Sequence, residues 1–190
     1  MMAIFEMPLE ELKQYKGVNP CPQDIDNFWE NALKELYITQ PSPELVPSNF
    51  RVPYADCFDL YFYGVDSARI HAKYLRPISS GCHGVILQFH GYGCNTGDWF
   101  DKLPFVALGF SVAVLDCRGQ GGNSEDSSKV KGNTLKGHII RGLDDAPQKL
   151  LYRQIFLDTV QLARIMMDMP EVDEKKVCVM GSSQGGGLAL

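Results

Sequence analysis

The residues that decide the fold are Gly181-Ser182-Ser183-Gln184-Gly185. An apolar run, 177–180, precedes them, and a run rich in small residues, 186–190, follows. This order predicts a strand, a sharp turn and the start of a helix, because glycines allow the close backbone approach that such a turn needs. A serine at the centre of G-x-S-x-G in this setting is typical of a nucleophile held on a strained turn above a sheet. We therefore predict that Ser183 is a catalytic nucleophile supported by Gly181 and Gly185.

A serine hydroxyl is a weak nucleophile until a neighbouring base takes its proton. Where this turn carries a catalytic serine, the acid and the histidine follow it in the chain. All the histidines precede Ser183, at His71, His83, His90 and His138. We expect these 190 residues to carry the nucleophile but not its base. The alternative stays open that Ser183 only caps a helix in an ordinary turn, and Ser182 is a weaker candidate because it lacks the flanking glycines.

Composition excludes several classes of function. A chain of 190 residues, 45% hydrophobic and 22% charged, fits one globular domain with its own core. A net charge of −5 favours neither nucleic acid nor an anionic membrane as a partner. No apolar run approaches the ~20 residues that span a bilayer, and the acidic start at Glu6 and Glu10 predicts no signal peptide. The six cysteines lack C-x-x-C spacing, so we expect no metal, no redox pair and a cytoplasmic location.

Periodicity predicts an α/β protein. Helical spacing occurs at 8–16, 24–37, 99–108 and 153–168. Alternating residues within 54–76 predict two antiparallel strands at one edge of a sheet, and near-continuous apolar runs at 85–89, 112–115 and 177–180 predict parallel strands. We expect a mostly parallel sheet with flanking helices, and one domain over 1–190 with a helical extension over 1–45. Asp24 is the predicted N-cap of the second helix, whose aromatic face must dock on a neighbour, and 117–150 is predicted as a long functional or interface loop.

The turn His90-Gly91-Tyr92-Gly93 follows the first of the parallel strands. A loop in this place supplies one backbone N–H of an oxyanion hole, and the residue after the nucleophile supplies the other. We predict that these donors are the N–H groups of Tyr92 and Gln184, each worth about 3 kcal/mol to the transition state. The Tyr92 ring is also a candidate wall of the substrate pocket. His90 is expected to fix the loop by hydrogen bonds rather than to act as the base.

Polar residues also follow the second parallel strand. Asp116 and Arg118 are predicted to form a bidentate structural ion pair. A catalytic role for Asp116 is a weaker alternative, because the acid of such a site usually follows the nucleophile.

Here the chain resembles the N-terminal part of the acetyl xylan esterase/cephalosporin-C deacetylase family, carbohydrate esterase family 7. Three blocks carry the resemblance: His90-Gly91-Tyr92, Arg118-Gly119-Gln120 and Gly181-Ser182-Ser183-Gln184-Gly185-Gly186-Gly187. The opening also resembles the family through 7–12, Tyr15-Lys16 and Phe28-Trp29, as does the stretch 152–158. The pairing of R-G-Q with G-x-S-Q-G separates this family from other hydrolases that carry G-x-S-x-G.

The resemblance implies an α/β-hydrolase fold, with Ser183 as nucleophile and an oxyanion hole formed by the Tyr92 and Gln184 amides. It implies that Arg118 and Gln120 order the loops around the site. It further implies an intracellular hexamer without a cofactor that removes acetyl groups from xylooligosaccharides and cephalosporin C.

The family's acid and its His-Glu motif would lie beyond residue 190, so the sheet is expected to end after the nucleophile turn with an exposed apolar edge. The 93–95 segment departs somewhat from the family's usual sequence. Two rival hypotheses remain. One is a peptidase or a dienelactone-type hydrolase on the same fold. The other is a non-catalytic short paralogue that binds a full-length relative through 24–37 or 117–150.

Overall fold

The computed structural model describes residues 7–79, 81–129, 132 and 138–190. Its strands are β1 (Glu44–Pro47), β2 (Ala55–Tyr63), β3 (Arg69–Pro77), β4 (His83–Phe89), β5 (Ser111–Leu115) and β6 (Val172–Gly181). Its helices are α1 (Leu9–Leu12), α2 (Ile25–Ile38), α3 (Leu103–Ala107), α4 (Leu151–Met167) and α5 (Gln184–Ala189). Short 3-10 turns lie at Val65–Ser67, Phe100–Lys102, His138–Ile140 and Pro147–Lys149.

The six strands form one sheet in the order β1-β2-β3-β5-β4-β6. β4 pairs in parallel with β5 and β6, as the apolar runs predict. β1, β2 and β3 add antiparallel ladders, with β3 antiparallel to β5. The described sheet is therefore mixed rather than mostly parallel, because antiparallel strands make up half of it and no sequence pattern indicated β1. Among the described strands β6 is the outer neighbour of β4, and its Val179 is 45% exposed.

The register of the parallel strands brings their carboxyl ends together. Phe89 at the end of β4 pairs with Leu115 at the end of β5 and with Gly181 at the end of β6. The loops that follow all three strands therefore leave the sheet at one edge, where open α/β sheets bind their ligands.

Both faces of the sheet are covered. On one face α4 buries Ile155, Leu162 and Ile165 against apolar residues of β2 to β5. On the other face α3 packs Leu103 and Val106 against Val112 and its neighbours. The alternation of strand and helix predicts this three-layer arrangement, because each parallel connection must cross a face of the sheet.

The second helix docks through its aromatic face, as its periodicity predicts. The Trp29 ring of α2 lies 5.7 Å from the Phe156 ring of α4 in an edge-to-face contact, and Leu36 is fully buried. Asp24 occupies the predicted N-cap position of α2, but its side chain makes no cap hydrogen bond. Its φ of −100° and ψ of 12° lie outside the extended region that a capping side chain normally needs.

The remaining expectations for the N-terminus and the long loop are met only in part. The helix predicted over 8–16 shortens to α1, which buries no residue and so lacks the packing that stabilises short helices. Residues 1–6 of the predicted extension 1–45 lie outside the described residues, as do 130, 131 and 133–137 of the loop 117–150. A single domain over 1–190 stays a prediction.

We expect Leu162→Ala to lower the free energy of unfolding by about 2–5 kcal/mol, because the Leu162 side chain is fully buried between α4 and the sheet. Leu108→Ala is the matched control: Leu108 is 75% exposed, and the same change there should stay within about 0.5 kcal/mol. Urea denaturation of both variants measures the difference. Equal losses would contradict the described packing of α4.

Candidate active site

Ser183 lies on the turn between β6 and α5, with its side chain exposed. Its φ of 54° and ψ of −120° place a non-glycine residue in the left-handed half of conformational space. Such a conformation costs about 1–3 kcal/mol and persists only where the surroundings impose it. The turn is therefore the strained elbow that the G-x-S-x-G pattern predicts.

The flanking glycines are required by close backbone contacts. A Cβ atom on Gly181 would overlap the carbonyl of Gly185. A Cβ atom on Gly185 would overlap the carbonyl of Phe89 at the end of β4. Any side chain at either position would force β4, β6 and α5 apart, and this explains why glycine stands on both sides of the serine.

The turn that follows β4 lies against the elbow. A Cβ atom on Gly91 would sit 3.9 Å from the Cβ of Ser183. The backbone N–H groups of Tyr92 and Gln184 make no hydrogen bond within the described residues. Free N–H groups beside a nucleophile are what an oxyanion hole requires. The assignment of Tyr92 and Gln184 to that role stays a prediction, and the Tyr92 ring, 40% exposed, is available to line a pocket.

His90 fixes this turn to the neighbouring loop. The N–H of Cys117 donates to His90 Nε2 over 3.0 Å. Since the amide can only donate, the ring proton is on Nδ1, which lies 2.8 Å from the carbonyl oxygen of Gly91 and donates to it. Both ring nitrogens are thus engaged, as the interpretation of His90 as a loop anchor requires.

A pair of side-chain amides joins the three loops at this edge. Gln120 Nε2 donates to Gln184 Oε1 over 2.9 Å, and Gln184 Nε2 donates back to Gln120 Oε1 over 3.2 Å. Gln120 Oε1 also accepts the N–H of Gly93 over 2.8 Å. Gln120 therefore ties the elbow to the turn carrying Tyr92, consistent with the ordering role that the resemblance implies.

Cys117 lies beneath this amide pair and accepts a weak hydrogen bond from Gln184 Nε2 at 3.5 Å. Burial, reinforced by the nearby charges of Asp158 and Asp116, raises the pKa of the Cys117 thiol to about 12. The thiol is therefore protonated near neutral pH and offers no competing nucleophile next to Ser183.

Arg118 pairs with a helix rather than with its neighbour in the loop. Its Nε and Nη2 donate to the two carboxylate oxygens of Asp158 over 2.7 and 2.6 Å, and its Nη1 donates to Gln154 Oε1 over 2.8 Å. Burial lowers the pKa of the Arg118 guanidinium, but the charge and hydrogen bonds of Asp158 outweigh it and raise the pKa overall. The predicted pair of Arg118 with Asp116 is wrong, because α4 presents Asp158 and Gln154 one turn apart on the face that Arg118 meets.

Asp116 instead joins the antiparallel strands to the loops. Its carboxylate accepts from the N–H groups of Thr96 and Asn123 over 2.7 and 2.9 Å. It also lies 2.6 Å from Nδ1 of His71, whose Nε2 lies 2.8 Å from Asp59 Oδ1. His71 and Asp59 were not predicted from the sequence as neighbours of Asp116. Their positions on the paired strands β3 and β2 would have indicated them if the register of that pair had been worked out.

No described histidine reaches the nucleophile. His71 and His90 are engaged as described, His83 lies 2.8 Å from the Ser111 hydroxyl, and His138 lies 3.1 Å from the carbonyl oxygen of Arg118. The Ser183 hydroxyl has no hydrogen-bond partner in the part of the chain that the structure describes. A base for Ser183 is thus absent from the described histidines.

The described residues also bear on metal binding and on membrane insertion. No group of three or more His, Cys, Asp or Glu side chains is arranged there to hold a metal ion. Nor does any helix there combine the length and the apolar character needed to cross a bilayer.

The mixed sheet with helices on both faces, and the strained serine turn after the last described strand, define the class of α/β hydrolases. The acetyl xylan esterase (AXE1) family matches residues 2–190. The chain therefore belongs to the acetyl xylan esterase family, and the resemblance carried by its three sequence blocks is confirmed.

Similar proteins agree with this placement. The acetyl esterase Axe7A of Xylanibacter ruminicola is 29% identical over 178 residues. The crystal structure of acetyl xylan esterase 1 from a Thermoanaerobacterium species is 58% identical, with a TM-score of 0.93 over 97% of this chain. An acetyl xylan esterase from a Paenibacillus species is 29% identical, with a TM-score of 0.88 over 96% of this chain. The α/β-hydrolase fold is thereby confirmed.

The chain spans only part of each of these relatives. It matches 40% of the length of the Xylanibacter protein, and 58% and 59% of the two solved chains.

We expect Ser183→Gly to be more stable than Ser183→Ala by about 1 kcal/mol, because glycine adopts a φ of 54° without the strain that a Cβ atom causes. The difference in urea midpoint between the two variants measures the strain independently of catalysis. A lower stability for the glycine variant would contradict a strained elbow.

A second prediction concerns pH. Burial raises the pKa of the Asp116 carboxyl, but hydrogen bonds from His71, Asn123 and Thr96 outweigh it and hold that pKa below 3.8. Ionised Asp116 therefore stabilises the fold fully above pH 3.8, and this contribution is lost as the pH falls through the lower folded pKa.

The stability advantage of the wild type over Asp116→Asn should accordingly shrink in acid. Free energies of unfolding between about pH 2 and pH 7 test this, since acid-linked stability is lost over that range. Glu174→Gln, which removes an exposed carboxylate from β6, is the control for the loss of one negative charge. An advantage independent of pH would contradict the proposed role of the Asp116 hydrogen bonds.

Proposed function

We propose that the protein is a serine esterase that removes acetyl groups from acetylated xylooligosaccharides through an acetyl-enzyme. The observation that supports this most directly is the exposed Ser183 on its strained turn, beside free N–H groups at Tyr92 and Gln184, in a chain that belongs to the acetyl xylan esterase family.

The reaction follows from that geometry. Ser183 Oγ attacks the acetyl carbon while a base accepts its proton, and the carbonyl oxygen becomes an oxyanion facing the Tyr92 and Gln184 amides. The intermediate collapses, the ester bond to the sugar breaks, and the sugar oxygen takes up the proton. Water then attacks the acetyl-serine ester, and acetate leaves with Ser183 restored.

The base belongs to the proposal as well. Because each described histidine is hydrogen-bonded elsewhere, we place the base and its acid in sequence that follows residue 190. On this view the 190 residues alone retain the oxyanion hole but not the triad. Their rate of ester hydrolysis should then be only roughly 10³–10⁴ times the uncatalysed rate in water. Acetyl esters of the cephalosporin type, a homohexamer and a cytoplasmic location remain parts of the same proposal and rest on the resemblance.

Replacing the nucleophile tests the central step. Ser183→Ala in the full-length protein should abolish acetate release from acetylated xylooligosaccharides, a loss of about 10⁴-fold or more in kcat, because no other group attacks the ester. Ser182→Ala is the matched control and should retain activity. Acetate release that survives Ser183→Ala would overturn the assignment of Ser183.

Further measurements separate the rival hypotheses. Cleavage of aminoacyl amides in preference to acetyl esters would favour a peptidase. A native protein of 21.2 kDa that a fluorophosphonate fails to label at Ser183, and that co-purifies with a longer hydrolase, would favour a non-catalytic paralogue.

A further inference from the structure

A polar cavity of about 300 Å³ lies beside the start of α4. Three cationic side chains, two carboxylates and two amides line it: Lys129, Lys149, Arg153, Glu35, Asp66, Gln148 and Gln154. Its chemistry differs from that of the Ser183 edge, since it holds no nucleophile and an excess of positive charge.

Arg153 is the residue of this cavity whose hydrogen bonding is incomplete. Its side chain is only 6% exposed, and within the described residues its sole hydrogen bond runs from Nη2 to Glu35 Oε2 over 2.5 Å. Its Nε is buried without a partner among those residues. A guanidinium carries five N–H donors, and leaving buried donors unfilled is unfavourable.

The two carboxylates do not satisfy the remaining cations. Glu35 accepts from Arg153, and Asp66 Oδ2 accepts from the neutral Gln154 Nε2 over 2.9 Å. Lys149 Nζ lies 3.8 Å from Asp145 Oδ2, and the Lys149 side chain is more than half exposed. Lys129 has no ion-pair partner in the described part of the chain.

Residues at the start of α4 line this cavity. The helix has 17 residues, and its first-turn residues include Arg153. Leu150, its N-cap, makes no side-chain cap hydrogen bond, and the N–H of Leu151 donates instead to the carbonyl oxygen of Arg141 over 3.0 Å. A buried arginine with an unpartnered Nε and flanking lysines together form a setting typical of anion recognition.

We propose that this cavity is a binding site for a small oxyanion, a carboxylate or a phosphate, held by Arg153, Lys149 and Lys129. The site is separate from Ser183, but a hydrogen bond connects it to a loop beside that serine. Gln154, which lines it, also accepts from Arg118, whose loop carries Gln120. A bound anion would therefore lie two side chains away from the loop that supports the elbow.

The test titrates the full-length protein with sodium phosphate and, separately, with sodium acetate, each against sodium chloride at the same ionic strength. Calorimetry gives the dissociation constant and thermal unfolding gives the accompanying rise in Tm. The variant Lys129→Gln with Lys149→Gln should weaken binding by about ten- to a hundredfold, the scale of lost hydrogen bonds between charged groups. Both lysines lie at the surface, so the fold should persist.

Lys34→Gln is the matched control, because Lys34 is exposed on α2 next to Glu35 in sequence but does not line the cavity. It should bind as the wild type does. Binding of phosphate alone would identify a phosphate site, and binding of acetate alone a carboxylate site. Absence of both, or equal binding by the double-lysine variant, would overturn the proposal. Ser183→Ala should leave anion binding unchanged, so failure of the esterase proposal stays distinguishable.

Discussion

The structure depends on one close approach, between the carbonyl of Phe89 and the Cα of Gly185. This contact sets α5 directly against the end of β4, with β6 alongside, and no residue with a side chain fits at Gly185. Because the turn must be this tight, Ser183 is forced to a positive φ, and its hydroxyl is left exposed at the edge where three strands end. Strain at the nucleophile is thus the local cost of packing that stabilises the whole parallel half of the sheet.

The elements that depend on local pattern were predictable. The parallel strands, the two longer helices and the turns at strand ends all follow from apolar periodicity and glycine placement. The candidate site residues were found for a related reason: residues after adjacent parallel strands converge at one edge, as Tyr92, Gln120 and Ser183 do. The antiparallel pair β2 and β3 was predicted from alternating residues, but β1 was not, since its four residues carry too little pattern.

The partners of the buried charged side chains were the part of the site that the sequence predicted wrongly. Arg118 was assigned to Asp116, two positions away, but pairs with Asp158, 40 residues away. Asp116 in turn meets His71, 45 residues away. Which acid meets which base depends on the crossing of α4 and β3 over the loop ends, and that crossing is not encoded in the spacing of the charges themselves. A buried pair such as Arg118 with Asp158 adds little net stability over apolar packing, but losing one member would cost about 3–5 kcal/mol.

The Gln120 and Gln184 pair has a consequence for the working range of the site. Carboxamides neither gain nor lose a proton in water at ordinary acidity, unlike the carboxylates and imidazoles elsewhere in this chain. The two hydrogen bonds between Gln120 and Gln184, which join the elbow to the loop of Tyr92, therefore stay the same in weak acid and in weak alkali. The alignment of the nucleophile with the Tyr92 loop therefore does not depend on pH. Any pH dependence of turnover must come from the groups that transfer protons.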